Sequence, residues 1–266
     1  MIVMKSKKFD ENGKKKGSKE LPDLFNTEFK PTAIKKAVLS IMANKRQKYG
    51  SDPKAGNRSS AHYHGHRDDR YTMMNREMSR MQRIHSGGFL HMTARNVPQA
   101  RKGRKAHPPK SEKNFSININ KKEKKLAVKS ALAATKNKEM IETRGHKFLD
   151  SPLIVDNSLE DKKKTKNVYQ ALLNMGMDDE LKRCKEKKVR SGKGKRRGRK
   201  YKRKTGPLII VSDACSLSKS ARNIPGVSVR TAQSVNALDL APGGVAGRLT
   251  IITEKALDVL EKRFGE

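Results

Sequence analysis

The eighteen residues Lys187–Lys204, KKVRSGKGKRRGRKYKRK, hold twelve lysines and arginines and no acid. Such a run cannot bury a core: its like charges repel, and Gly192, Gly194 and Gly198 raise the entropy lost on ordering. Yet it leads, through Thr205-Gly206-Pro207, straight into Leu208-Ile209-Ile210-Val211, the best apolar run in the chain. A self-repelling polycation spliced onto a buried strand predicts that an outside anion orders it. Nucleic-acid phosphate is the obvious candidate.

The charge surplus is uneven. Of a net +35 over 266 residues, this run carries twelve, and Asn44–Lys110 carries another twelve from sixteen basic and four acidic side chains. The remaining 181 residues suffice for one compact domain. The reading is therefore a single domain over residues 1–266 with two basic segments inside it, 44–110 and 187–204. Cys184 and Cys215 are too few for a disulfide framework, which suits a reducing compartment. The N-terminus shows no apolar signal core, and no run approaches the ~18 apolar residues of a membrane span. A cytoplasmic chain with no membrane partner is expected.

Taken in order, Ile2–Lys5 and Lys19–Leu21 flank an Asn12-Gly13 turn signal and predict a hairpin. Pro22–Pro31 reads as a connector. Pro31 opens a helix to Ala43, with Ala33, Ile34, Ala37, Val38, Ile41 and Met42 on its inward face. Asn44–Lys110 then offers almost nothing for a core, and a loop so long is usually functional. Met74, Met78 and Met81 share one helical face and predict a short helix at its centre. Asn120–Thr135 is a helix capped by Asn120 with Glu123 at N3. Its stripe of Leu126, Ala127, Ser130, Ala131 and Ala134 suits close packing.

Pro152–Asp156 is a short buried strand, and Glu160–Met175 a helix that turns Val168, Ala171, Leu172 and Met175 inward and stops at Gly176. Beyond the basic run, strands at Leu208–Ser212, Val227–Arg230 and Arg248–Thr253 alternate with helices at Leu217–Arg222, Ala232–Leu238 and Glu254–Arg263. That alternation predicts an α/β fold, a three-layer body with a mainly parallel sheet flanked by helices.

Other chemistry is weaker. His62, His64 and His66 point the same way if the chain is extended, but no cysteine or spaced carboxylate completes a tetrahedral set. Asp68 and Asp69 are expected to pair with Arg67 and Arg70. These histidines therefore predict phosphate or base contact, and no metal. Asp156 and Asp213 end strands, where ligands bind in open α/β sheets. An RNA-processing enzyme using Mg²⁺ there is one alternative, but no base or nucleophile accompanies the pair, and each reads more simply as a helix cap. No phosphate-binding glycine motif occurs, so neither cofactor nor catalytic residue is predicted. Ala241–Gly247 reads as a tight turn, and Arg222 and Arg248 as an extension of the basic surface. A general nucleic-acid packaging protein is the other alternative. With few aromatics to stack on bases, recognition of folded RNA by shape and backbone fits best.

Several motifs, in order, resemble one family. They are ELPDLF (Glu20–Phe25), YGSDPKAG and NRSSAHYHGH (Tyr49–His66), VPQARKGRKAHPP (Val97–Pro109), NKKEKKLAVKSALAAT, RSGKGKRRGRKYKRKTGPLIIVS (Arg190–Ser212), ARNIPGVSV (Ala221–Val229) and LAPGGVAGRLTIIT (Leu240–Thr253). Over essentially its whole length the chain resembles the large-subunit ribosomal protein four family, and, without a long C-terminal extension, its archaeal type.

The resemblance implies a non-enzymatic structural protein of the large ribosomal subunit. Its long extended loop would thread ribosomal RNA, help line the peptide exit tunnel and support assembly. Arg58, His62, His64, Gln99, Arg101, Arg104 and His107 lie in matching loop motifs and are expected to meet RNA. Arg190, Lys193, Arg196, Arg197, Arg199, Lys200 and Arg203 match the second RNA-contacting segment. Charge adds Lys45, Arg46, Lys48, Arg67, Arg70, Arg76, Arg80, Arg83, Arg95, Lys102, Lys105, Lys110, Lys195 and Lys202. Ribosomal RNA, neighbouring ribosomal proteins and the nascent peptide near the loop tip are the expected partners.

Overall fold

The computed structural model describes residues 5–148 and 150–265. The chain divides into two compact units, one of Met1–Lys45 with Ser116–Glu266 and the other of Arg46–Phe115.

The first unit is built on a six-stranded sheet. Its strands are β1 (Lys5–Phe9), β2 (Lys15–Glu20), β3 (Leu153–Val155), β6 (Leu208–Val211), β7 (Ser228–Thr231) and β8 (Thr250–Thr253), in the order β2-β1-β3-β8-β6-β7. β4 (Lys187–Val189) and β5 (Tyr201–Arg203) form a separate two-stranded ladder. Only β1 and β2 pair antiparallel within the large sheet; the other ladders are parallel. The expected hairpin is therefore present, with its first strand starting at Lys5. Ile2, Val3 and Met4 lie outside the described residues.

Side chains alternate across a strand, so a sheet covered on both faces must feed two cores. Ile154, Leu208, Ile210 and Ile252 join one, beneath α1 (Pro31–Asn44), α2 (Lys121–Ala134), α7 (Ala237–Leu240) and α8 (Glu254–Phe264). Leu153, Val155, Ile209, Val211 and Ile251 join the other, with Val168, Ala171 and Leu172 of α4 (Thr165–Asn174), Leu181 of α5 (Asp178–Lys185) and Leu217 of α6 (Leu217–Ser220). Each such Leu, Ile or Val contributes roughly 1.5–3 kcal/mol on burial. The three-layer α/β body with a mainly parallel sheet stands as the sequence predicts.

Several elements differ in detail. On α1, Ile34, Ala37 and Val38 are buried, but Met42 is 52% exposed. Asn120 precedes α2 without a side-chain cap. Only the reciprocal half of the capping box forms, from the Asn120 backbone to Glu123, which also pairs with Lys36 at 2.8 Å. The helix expected from Glu160 begins at Thr165, after a 3-10 turn at Asn157–Asp161. That turn leaves Glu160 free to bind elsewhere: its carboxylate accepts from the Ser212 backbone (2.8 Å), the Ser212 hydroxyl (2.7 Å) and the Thr253 hydroxyl (2.6 Å), tying the ends of β6 and β8 together. Ala232–Leu238 is turn at its start, and the helix there is α7. The connector after Pro22 carries a 3-10 turn, Asp23–Asn26, whose Leu24 and Phe25 are buried.

Two helices have no counterpart in the sequence reading, α3 (Lys138–Thr143) and α5. In α5 only Leu181 and Cys184 are apolar and buried. Its order of charge, Asp178, Asp179 and Glu180 first and Lys182, Arg183 and Lys185 last, complements the helix dipole and is the signal that marks it. Among the described residues no helix is long and apolar enough to cross a membrane. Both cysteines are free thiols.

Candidate nucleic-acid interface

The second unit, Arg46–Phe115, contains neither helix nor strand; isolated bridges pair His62 with Arg83 and Arg83 with Ala94. Its buried apolar side chains are Ala61, Met73 and Ile84 alone among the described residues. The helix expected at Met74–Met81 is absent. Asn75 (φ 55°) and Glu77 (φ 53°) adopt left-handed backbone that breaks helical hydrogen bonding, and Met73, not the predicted stripe, is buried.

With so little interior, the basic side chains point to water. Of the twenty-eight residues expected to meet RNA, twenty-five are exposed; His64, Arg83 and Arg95 are half-buried. Arg83 acts inside the unit, donating to the Met92 carbonyl (2.8 Å) and to the carbonyl and hydroxyl of Ser79 (3.0 and 3.1 Å). Arg95 donates to the Arg101 carbonyl at 3.2 Å. Arg46 lies over the rings of Phe115 (4.4 Å) and Tyr49 (5.4 Å), and those two rings stack 5.9 Å apart. Arg58 pairs with Asp52. Asp68 and Asp69 approach His66 and His64, at 3.9 and 3.8 Å, in place of the arginines expected.

The predicted row of His62, His64 and His66 is broken. His62 and His64 meet at 4.5 Å between ring centroids, and the third ring against them is His85, at 4.5 and 4.7 Å. No sequence spacing shows that. The return of the chain through the His62–Arg83 bridge brings it about. At the far end of this return, Ile84 and Met92 are bridged by a backbone hydrogen bond, and Phe89 between them is 100% exposed.

The Lys187–Lys204 run folds onto itself. β4 and β5 pair antiparallel in three registers, Lys187 with Arg203, Lys188 with Lys202 and Val189 with Tyr201. Every strand residue is exposed, so the backbone pairs while the cations splay into water on both faces. Like charges gathered in this way repel one another, and an anion bound across the ladder would relieve that repulsion. Its root is fixed by the body. Arg183 on α5 donates to the Thr205 carbonyl at 2.8 Å. Gly206 has no room for a side chain, since a Cβ there would sit 2.6 Å from the Cys184 sulfur. No surface chemistry is available from Cys184: burial pushes its thiol up to about 11.

Of the two arginines expected to extend the basic surface, Arg222 is exposed and Arg248 is structural. Arg248 is 3% exposed and donates to the carbonyls of Gly206 (2.9 Å) and Asp239 (2.7 Å) and to the Ser228 hydroxyl (2.8 Å). Burial lowers its guanidinium to about 10. It ties the end of α7 at Asp239 to Gly206 and to β7 at Ser228, and cannot extend a basic surface. Asp156 caps nothing with its side chain; it binds Lys8 and Lys16, both at 2.9 Å. Burial pushes its carboxyl up, but these two lysines outweigh that and hold it below the usual value. Asp213 is exposed and, among the described residues, accepts only from the following backbone N–H. Neither aspartate is the helix cap expected, and a carboxylate neutralised by two lysines is poorly suited to holding Mg²⁺.

Comparison with known proteins agrees with the motif resemblance. The profile of the Ribosomal protein L4/L1 family matches residues 19–263. The large ribosomal subunit protein uL4 of Nanoarchaeum equitans is 45% identical over 252 residues, 93% of this chain and 94% of its own. That of Methanocaldococcus jannaschii is 44% identical over 264 residues, 98% and 100% of the two chains. The Haloarcula marismortui protein is 41% identical over 263 residues, 96% and 98%.

Proposed function

Since the chain belongs to the Ribosomal protein L4/L1 family, we propose that its two basic segments bind folded ribosomal RNA and clamp RNA elements together during subunit assembly. The protein is a structural constituent of the large ribosomal subunit in the cytoplasm, and the family's role is not enzymatic.

One observation carries the RNA reading. A surplus of twenty-four positive charges sits on two segments that bury almost nothing, and twenty-five of the twenty-eight predicted contact residues face water. Surface cations normally alternate with acids; here four acids face twenty-eight cations, and phosphate supplies the balance. Arg46 with Tyr49 and Phe115, and Tyr201 under Lys187 and Lys200 (5.7 and 5.5 Å), add flat surfaces for unpaired bases. The loop segment Arg46–Phe115 is the part that lines the peptide exit tunnel. Its exposed tip at Phe89 is the nascent-peptide contact, and the remaining surface meets neighbouring ribosomal proteins.

The test is equilibrium binding of the full chain to large-subunit RNA, to unrelated structured RNA and to duplex DNA at physiological salt. The reading requires a preference of at least about tenfold for the ribosomal RNA. Equal binding to duplex DNA would make the protein a general packaging factor instead.

A further inference from the structure

We propose that His62, His64 and His85 form a three-histidine site for a divalent transition metal, Zn²⁺ foremost, that staples the core-poor unit Arg46–Phe115. One ring nitrogen from each histidine lies within 4.8 Å of the other two. A tetrahedral ion with bonds of about 2.0–2.1 Å needs its donors about 3.4 Å apart. Small ring rotations close that difference.

The hydrogen bonds around the rings decide which nitrogens are free. The Nδ1 of His62 faces the Ser60 carbonyl at 2.9 Å, and the Nε2 of His85 faces the His62 carbonyl at 3.2 Å. A carbonyl only accepts, so both these nitrogens carry the proton, and His62 Nε2 and His85 Nδ1 present bare lone pairs. Asp69 stands 3.8 Å from His64 Nδ1, which favours the proton there and leaves Nε2 bare. Metal-bound histidines are oriented by carbonyls and carboxylates in this way.

A second observation points to a ligand. His64 Nε2 and His85 Nδ1 are both buried with no hydrogen-bond partner. A buried polar atom left unpaired costs roughly 1–3 kcal/mol, which a bound cation offsets.

The unit has a use for such a staple. Seventy residues with three buried apolar side chains cannot hold a fixed fold by packing. The cluster joins the two arms of the return at its bridge, where Tyr71 stacks on His85 at 5.2 Å. His62 is exposed, so water completes the fourth position from that side. The site does not depend on RNA binding, and its test needs no RNA.

The test uses the tag-free full chain stripped of metal, titrated with Co²⁺ and then with Zn²⁺ against a chromophoric chelator. The expected result is one ion per chain and the visible absorption of tetrahedral Co²⁺. His64→Gln and His85→Gln each weaken binding by about 100-fold or more, since loss of outer partners alone costs 10–100-fold. His66→Gln and His107→Gln leave it unchanged. Acylation of histidines, read by mass spectrometry on the unmutated chain, serves where a variant unfolds: Zn²⁺ shields His62, His64 and His85 but not His66. No tetrahedral Co²⁺ signal, a stoichiometry other than one, or equal labelling of His66 and His85 with Zn²⁺ present would overturn the site.

Discussion

The Nδ1–H of His146 donates to Glu180 at 2.7 Å across thirty-four residues of chain, and neither side chain is more than 1% exposed. The same carboxylate accepts from Arg183 at 2.6 and 2.9 Å and from the Lys147 backbone at 3.1 Å. Through Arg183 the network reaches Thr205, so a buried ion pair in the body fixes the root of the exposed basic hairpin.

That arrangement sets a pH dependence. Burial raises the Glu180 carboxyl, but the donors from His146, Arg183 and Lys147 prevail and hold it down at about 2, against 4.5 ordinarily. A depressed carboxylate stabilises the fold above its unfolded value, and that contribution disappears as pH falls from about 4.5 towards 2. It is on the order of 3 kcal/mol. Glu180→Gln is expected to cost about 3–5 kcal/mol at neutral pH, because it leaves the half-buried Arg183 without its carboxylate partner. Denaturant unfolding of parent and variant from pH 7 to pH 2 checks both: the gap between them should close towards the acid end.

Arg248 is expected to matter for stability and not for RNA. Arg248→Ala should lower stability by about 2–4 kcal/mol through the carbonyls it leaves unpaired. Where both proteins are folded, the salt dependence of RNA binding should match the parent's. A reduced salt slope would return Arg248 to the interface.

Arg196, Arg197 and Arg199 are expected to behave in the opposite way. All three are exposed in the hairpin between β4 and β5. Replacing them together by Ala should leave thermal stability unchanged. The slope of log affinity against log salt should fall by about 2–3, one counterion per lost phosphate contact.

Arg83 and Arg80 separate structure from contact within the long loop. Arg83→Ala should raise hydrogen exchange at Met92 and the neighbouring backbone, since Arg83 holds the Met92 and Ser79 carbonyls. Arg80 is exposed, and Arg80→Ala should weaken RNA binding with exchange unaltered.

How far these features were legible follows from their physics. Leu208–Val211 and the alternation after it announce a doubly covered parallel sheet, because continuous apolar runs have no other stable placement. Charge, too, is local, so both basic segments could be read directly. Arg248 misled because burial depends on what the rest of the chain places around a residue, and its partners Gly206, Ser228 and Asp239 come from three other segments. Met74, Met78 and Met81 misled because periodicity alone cannot form a helix where no core rewards it. His85 lies twenty-three residues from His62, and only the folded return of the loop makes them neighbours.

Ribosomal RNA is expected to meet this large-subunit protein at Arg46–Phe115 and at the Lys187–Lys204 hairpin. The most direct test is ultraviolet crosslinking of intact large subunits, with nucleotide adducts mapped by mass spectrometry. Adducts should concentrate in those two segments, at Arg58, Arg104, Arg197 and Arg199 among others, and spare the peptide around Arg248. A chain recovered free of ribosomal particles, or one whose adducts cluster around Asp156 and Asp213 while both basic segments stay unmodified, would contradict the account.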